Sequence, residues 1–414
     1  MDITSNKQGG EIKVGYKQTE VGVIPEDWNV QRVKDSYEIC NNLRFPLSEM
    51  VRKEMQGQYP YYGPTKIQDY INEYRVDGEY CLIGEDGDHF LKWKNTPMTL
   101  FVKGRFNVNN HAHLIRGVKN NTEWFYYYFK NRDITKHLTR QGAGRYKLTK
   151  ASLACIFIAI PPTKTEQTTI AKALSDTDAL IQSLSQLIVK KCQIKQGAMQ
   201  QLLNPYDGGG RLKEGWMVKK LEDIADILTG FPFQSSKYTK SGVRLLRGSN
   251  IKRGHTDWNE DIKKYWSAVT PDIAKYKLEE NDIVVSMDGS LVGKSFAQLK
   301  RTDLPALLLQ RVTRIRVNSA NLDINYIKEW VCSEMFTIHC ESLKTVTAIP
   351  HISPADINSF KLNMPVQKVE QSNIARVLAD MNTEITTLEN KRTKYQQIKQ
   401  GMMQNLLTGR IRLI

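Results

Sequence analysis

The sequence has no run of about eighteen apolar residues, so it offers no segment suited to cross a membrane as a helix. The N-terminal stretch MDITSNKQGGEIK is polar and lacks the apolar centre of a signal peptide. The cysteines Cys40, Cys81, Cys155, Cys192, Cys332 and Cys340 are scattered, and no two have C-x-x-C spacing. Neither a zinc site nor a redox motif is indicated, and isolated thiols fit a reducing cytoplasm. Acidic residues are outnumbered, 44 against 59 Lys and Arg, which leaves a formal charge of +15. Such an excess serves solubility or, more pointedly, a polyanionic partner, of which nucleic acid is the commonest. Hydrophobic residues still make up 40 % of the 414, enough for packed cores, and the length suits two domains.

Complete catalytic motifs are missing too. Gly289-Ser290-Leu291-Val292-Gly293-Lys294-Ser295 has one residue too few between its glycines for a phosphate loop, and Asp288 stands where the first glycine belongs. A hairpin turn is the expectation there. Asn204-Pro205-Tyr206 is similar to the loop that holds the target amine in amino-methyltransferases, but it lacks the second proline and a glycine-rich cofactor strand. It reads as a helix stop. His111 and His113, two apart on an apparent strand, are expected to face one side, with no third metal ligand evident. No Ser/His/Asp or Cys/His arrangement stands out.

What the chain does contain is a copy of itself. The segment from Pro161 to Leu203 aligns without a gap with Pro365 to Leu407, an offset of 204, with 20 of 43 positions identical. Both halves also open alike, YKQTEVGVIPEDWNVQRVKD and GGGRLKEGWMVKKLEDIAD, with Trp28 and Trp216 at matching places. The chain is therefore two concatenated half-units, and the regions between opening and repeat do not align. In the repeat, Ile170, Leu174, Thr177, Ile181, Leu184, Ile188 and Lys191 fall at alternating four- and three-residue steps. The second copy places Ile374, Leu378, Met381, Ile385, Leu388, Arg392 and Tyr395 likewise. This narrow heptad seam predicts two long helices packed on each other, antiparallel if the halves are related by a pseudo-twofold axis. Thr163 and Glu166 have capping-box spacing, and Asn204-Pro205 and Thr408-Gly409 stop the helices.

The expected fold class is α+β: two mixed α/β domains separated by two long antiparallel helices that form a coiled coil. The expected boundaries are 1–160 for the first domain, 161–204 for the central helical spacer, 205–364 for the second domain and 365–414 for the C-terminal spacer. Tyr80–Ile83, Ile283–Ser286 and Leu307–Val317 read as strands, and Thr122–Arg132 and Asp323–Cys340 as helices. Turns are expected at Asp86-Gly87, Asp288-Gly289 and Gly142-Ala143-Gly144. Candidate DNA-contacting residues are Arg44, Tyr61, Tyr62, Lys66, Arg145, Tyr146 and Lys147 in the first region. In the second they are Gln234, Ser235, Lys237, Arg247 and Asn250. Arg, Lys, Asn and Gln can bridge base edges or neutralise phosphates. Spacer and partner-binding candidates are Ile170, Leu174, Ile181, Leu184 and Ile194, with Ile374, Leu378, Ile385, Leu388 and Ile398.

Taken together these pieces resemble the specificity subunits of type I restriction-modification systems over nearly the whole chain. The resemblance rests on YKQTEVGVIPEDW, Tyr61-Tyr62-Gly63-Pro64-Thr65, Leu82-Ile83-Gly84-Glu85-Asp86-Gly87, Asn110-His111-Ala112-His113, Leu309-Gln310-Arg311-Val312 and the endings IKQGAMQQLL and IKQGMMQNLLTGRIRL. It implies a non-catalytic subunit that reads a bipartite double-stranded DNA target, one domain per half, in the major groove. The helices would set the gap and dock two modification subunits. S-adenosylmethionine, ATP and Mg would belong to those partners and to restriction subunits, when present. Asn204–Gly210 departs from the family's usual helix exit, which leaves the geometry between halves open. A DNA-binding decoy or inhibitor, a coiled-coil scaffold and an autonomous methyltransferase are the competing classes.

Overall fold

The computed structural model describes residues 12–141, 145–289, 292–346 and 350–413. The turn Gly142-Ala143-Gly144, residues Ser290-Leu291 of the phosphate-loop look-alike, and residues 1–11 of the N-terminal stretch lie outside them. The chain forms two compact units, Met1–Gln186 with Glu389–Ile414, and Leu187–Leu388. Each holds a mixed domain and a pair of helix segments.

In the first unit six strands form one sheet, in the spatial order Glu38–Ile39, Ala112–Arg116, Val76–Gly84, Thr99–Val108, Gln56–Tyr62, Ile67–Ile71. All pairs are antiparallel except Gln56–Tyr62 with Thr99–Val108. The second unit repeats this order in two pieces. Asp226–Thr229, Val312–Arg316, Ile283–Ser286 and Phe296–Gln298 form one sheet; Ala306–Leu308, Val243–Leu246 and Tyr265–Trp266 form the other. Here too a parallel pair joins the two corresponding strands, Val243–Leu246 and Ala306–Leu308. The segment read as a single strand, Leu307–Val317, is thus broken between two sheets, because Arg311 turns the chain with φ +77°. The span Asp323–Cys340 is likewise two helices, Ile324–Val331 and Glu334–Leu343, since the Ser333 side chain caps the second by accepting from Phe336 N. Ile283–Ser286 pairs antiparallel with Phe296–Gln298, the hairpin expected around Gly289.

The repeated segments are helices Lys164–Leu202 and Lys368–Leu406, 39 residues each. Within each unit the two helix segments run antiparallel. In the first, Asp178 meets Lys399 and Thr177 meets Met402. In the second, Lys191 pairs with Glu384 at 2.6 Å and Lys195 with Asn382 at 2.8 Å. The seam lysine at 191 is therefore matched by a carboxylate. The N-terminal turns of the seam do double work: Ile170 and Leu174 are fully buried in the core of the first domain with Trp28, Trp124, Leu406 and Leu407. Ile374 and Leu378 enter the second core with Tyr326, Trp330 and Leu203. Ile181, Ile385 and Leu388 are half-buried and Leu184 is buried. The Thr163 hydroxyl accepts from Glu166 N, but the Glu166 carboxylate does not return to complete a box. It is taken by Arg412, which also grips Asp27 through both terminal nitrogens at 3.0 Å.

The hidden part of the repeat lies in backbone hydrogen bonds. Asn29–Arg32 pairs with Phe157–Ile160, and Trp216–Lys220 with Lys361–Pro365, in the same register once each half is shifted. A buried glutamine then ties each helix to its domain. Gln167 accepts from Asn121 N at 2.8 Å and donates to Pro161 O at 3.1 Å. Gln371 accepts from Asp323 N at 2.9 Å and donates to Pro365 O at 2.8 Å. Both Asn121 and Asp323 cap the next helix, and three residues on, Trp124 Nε1 donates to Ala159 O and Tyr326 Oη to Asn363 O.

Candidate nucleic-acid interface

The polar residues gather where the central strand of each sheet ends in an Asp-Gly turn. In the first domain Glu85 N donates to His111 O at 2.8 Å, Leu148 N to Glu85 O at 2.7 Å, and Gly87 N to Tyr146 O at 3.1 Å. In the second, Met287 N donates to Arg311 O at 3.0 Å, Ile352 N to Met287 O at 3.0 Å, and Gly289 N to Pro350 O at 2.9 Å. Asp86 faces Lys147, and Asp288 faces His351, in equivalent bridges. The two domains thus share one backbone frame.

The side chains on that frame differ. In the first domain Glu85 gathers Arg44 at 2.7 Å, Lys147 at 3.3 Å and His113 at 3.8 Å. Arg44 can only donate, so the His113 Nδ1 at 2.7 Å accepts and its Nε2 donates to Leu148 O. Burial pushes the His113 pKa down, which favours the neutral imidazole that accepts at Nδ1 and donates at Nε2. In the second domain Met287 and Thr313 replace Glu85 and His113 and contact each other through sulfur and hydroxyl. The two histidines do not face one side: His113 is buried, whereas His111 stands before the strand, half-exposed, with Nδ1 2.8 Å from Asp86.

Of the sequence candidates, this place brings together Arg44 and Lys147 through Glu85, and Tyr146 through its carbonyl on Gly87. The Tyr146 hydroxyl accepts from Arg140 at 2.8 Å. Only the backbone of Arg145 is described; its side chain lies outside the described residues. Arg247 precedes Gly248, which backs onto the Ser286 side chain at the same end of the second sheet, but its guanidinium donates to Ile262 O at 3.0 Å. Lys66 is exposed, and Gln234, Ser235 and Lys237 sit exposed on a separate short turn. Tyr62 is half-buried, edge-on to Phe106. Two candidates are corrected. Tyr61 is fully buried, with its hydroxyl donating to Phe45 O and accepting from Leu47 N, so it packs the sheet and cannot touch DNA. Asn250 is fully buried as well; it accepts from Arg247 N and donates to Asp257 O, holding its loop together. Sequence reading passed over Asp86, His111, Asp288 and Arg311 as a set. The signal was there in the two Asp-Gly dipeptides, each taken singly as a turn.

Two domains built on one frame, each tied to a copy of one helix and carrying its own polar side chains, define a two-module recognition protein. The family model for the type I restriction modification DNA specificity domain matches residues 25–190 and 213–400. The chain is 26 % identical to the MjaVIII specificity subunit of Methanocaldococcus jannaschii over 413 residues, covering 94 % of each. It is 40 % identical to a putative type I specificity subunit of Haemophilus influenzae over 143 residues, 34 % of this chain and 35 % of that one. The crystal structure of an S subunit from M. genitalium superposes with a TM-score of 0.63 at 12 % identity, covering 92 % of this chain and 96 % of that one. The chain belongs to the type I restriction-modification specificity family, whose members are the DNA-recognition subunits of such systems. Among the described residues no helix is long and apolar enough to cross a membrane.

Proposed function

We propose that the chain reads a split DNA target, one half with the domain in residues 1–160 and the other with the domain in 205–364. The helical segments 161–204 and 365–414 set the gap between the halves. The observation that carries this reading is the shared frame with unlike side chains: Glu85, His111 and His113 stand where Met287, Arg311 and Thr313 stand. Identical readers would require matching side chains; unlike ones on one frame fit two different half-sequences. A helix of 39 residues is about 58 Å long, enough to carry readers one turn of B-DNA apart, roughly 34 Å, if the domains lean inward. The test exchanges residues 212–362 for those of another family member and maps the methylated target. One half-sequence should change, with the other and the gap kept; a change in both halves would refute the two-reader assignment.

The same reading gives the chain no chemistry of its own. Two modification subunits would supply S-adenosylmethionine and the transfer step, and restriction subunits, when present, ATP and Mg. Docking is assigned to the repeated helix ends. Gln193–Gly197 and Gln397–Gly401 are identical, and within them Ile194 and Ile398 are 47 % and 42 % exposed. A large apolar residue left half in water at two equivalent places suits two copies of one partner. Replacing both by Asp should weaken modification-subunit binding at least tenfold while the chain still melts normally. Retention of two bound subunits by the double variant would remove the assignment.

A further inference from the structure

Backbone bonds fix which residues correspond at the corner where the edge strand meets the last short helix before the repeat. Val33 N donates to Ile156 O as Leu221 N donates to Phe360 O, and Glu38 pairs with Arg116 as Asp226 pairs with Arg316. Thr149 and Ser353 cap the equivalent helices Lys150–Cys155 and Pro354–Asn358. Lys34, Arg116 and Lys150 therefore stand where Glu222, Arg316 and Pro354 stand, and Tyr80 where Asp282 stands.

The same corner is charged in opposite ways. In the first domain it is an open groove of about 520 Å³, walled by Lys34, Arg116 and Lys150 over Tyr37, Cys40 and Tyr80. All three cations are exposed. Among the described residues the Lys34 and Lys150 ammonium groups have no hydrogen-bond or ion-pair partner, and Arg116 meets Glu38 at 3.9 Å. In the second domain the arginines are spent inside the protein. Arg316 is clasped by Asp282 at 2.7 Å and Glu279 at 2.8 Å, Arg314 is held by Asp226, and Glu222 takes Lys220 at 3.0 Å. The groove of the first domain begins at the end of the central strand. Asn42 on its wall follows Asn41, which reaches His113 at 2.9 Å, and Lys150 follows Leu148, whose N–H is bonded to Glu85 O. Arg116 closes the strand that starts at Ala112, about 13 Å further on at roughly 3.3 Å per residue. Duplex of that length presents about four phosphates on each strand.

We propose that Lys34, Arg116 and Lys150 hold the phosphate backbone of the DNA beside the first half-target, and that the second domain carries no such track at the equivalent place. Three cations against one carboxylate leave the groove an excess of positive charge, and unpaired ammonium groups are what phosphodiester oxygens require. Each contact neutralises one phosphate and releases a counterion. A phosphate contact fixes register without reading bases, so the groove adds affinity to every sequence alike. The inference rests on the reading that the first domain lies on DNA at the end of its central strand, and it makes the grip on the two half-targets unequal.

The experiment uses the full chain assembled with its modification subunits and two labelled duplexes of equal length, one carrying the mapped target and one random. Affinity is measured over a series of salt concentrations. Lys34→Gln combined with Lys150→Gln should make the slope of log K against log salt shallower by about 1.8, at about 0.9 per phosphate. At 0.1 M salt the loss relative to 1 M should be about 8-fold per contact, on both duplexes alike. The melting temperature should stay that of the parent, because neither ammonium has a partner to lose. Adding Arg116→Gln should take a third step of similar size. Ethylation of single phosphates locates the contacts: the double variant should become indifferent to ethylation beside the first half-target and keep the parent's pattern beside the second. Three results would overturn the inference. One is an unchanged salt slope in the double variant with a native melt. Another is an altered base preference within the first half-target, which marks a base reader. The last is loss of a modification subunit with the salt slope kept, which marks a seat for an acidic protein segment. If the parent bound both duplexes equally at every salt concentration, the DNA-reading assignment itself would fail, and that is seen before any variant is made.

Discussion

The first domain keeps one six-stranded sheet where the second divides the same strand order between two sheets. In the first, Thr99–Val108 pairs on one edge with Val76–Gly84 and on the other with Gln56–Tyr62. In the second, the strand beside Ile283–Ser286 is Phe296–Gln298, and the strand beside Val243–Leu246 is Ala306–Leu308, so the long strand has become two. Yet the bonds that tie each domain to its long helix are the same. The sheets thus differ in how their strands are grouped, while the glutamine, cap and strand bonds at the start of each long helix are kept. The helix attachment is fixed in both units by glutamine, cap and strand register.

The comparison breaks first at the buried glutamines. Replacing Gln371 by Met keeps the length of the side chain but strands Asp323 N–H and Pro365 C=O away from water. At about 1–3 kcal/mol per orphaned group, the second unit should lose about 3 kcal/mol. Gln167→Met should cost the first unit a similar amount. Denaturant melts give the size, and hydrogen exchange at the amides of residues 121 and 323 shows where the opening occurs. A large loss in one unit with none in the other would mean that the two attachments are not equivalent.

The sequence shows the helices well because a heptad seam and a 204-residue offset survive in side-chain identity. The observed Lys164–Leu202 and Lys368–Leu406 fall within the repeated segments. Ile283–Ser286 was legible for a similar reason, as a short β-branched run closed by Asp288-Gly289. The common frame was not legible, because backbone hydrogen bonds such as Leu148 N to Glu85 O and Ile352 N to Met287 O leave no mark on residue type. Tyr61 and Asn250 misled for the opposite reason. Aromatic and amide side chains suit both DNA contact and internal packing, and only burial decides between them. The pairing of Asp86 with His111 escaped notice because they lie 25 residues apart and meet only through the fold.

The finest point of the comparison is an exchanged carboxylate. In the first unit Asp178, on the first long helix, accepts from Tyr127 Oη at 3.2 Å and Lys130 Nζ at 3.1 Å and also pairs with Lys399 from the antiparallel segment. At the equivalent places in the second unit Asn382 faces Lys195, and the carboxylate comes instead from the buried Glu329, which stands where Tyr127 stands. Each arrangement gives the lysine of the repeated IKQG segment one carboxylate, from the helix in one unit and from the domain in the other. Asp178→Asn should therefore cost the first unit about 2 kcal/mol, the scale of hydrogen bonds to a charged group. Adding Tyr127→Glu should return much of it, with a coupling of about 1 kcal/mol or more in a double-mutant cycle. The pH dependence supplies a second readout. Burial opposes ionisation of Asp178, but Lys399 and Lys130 outweigh it and hold its carboxyl below the ordinary 3.8. A carboxyl depressed in the folded state stabilises above its unfolded value and loses that contribution as pH falls through the folded one. The parent should thus lose stability in the first unit on acidification below about pH 4, and Asp178→Asn should show a flatter profile there. Additive single effects, or an acid profile unchanged by Asp178→Asn, would show that the two lysines are held by packing alone and that the exchanged carboxylate is incidental.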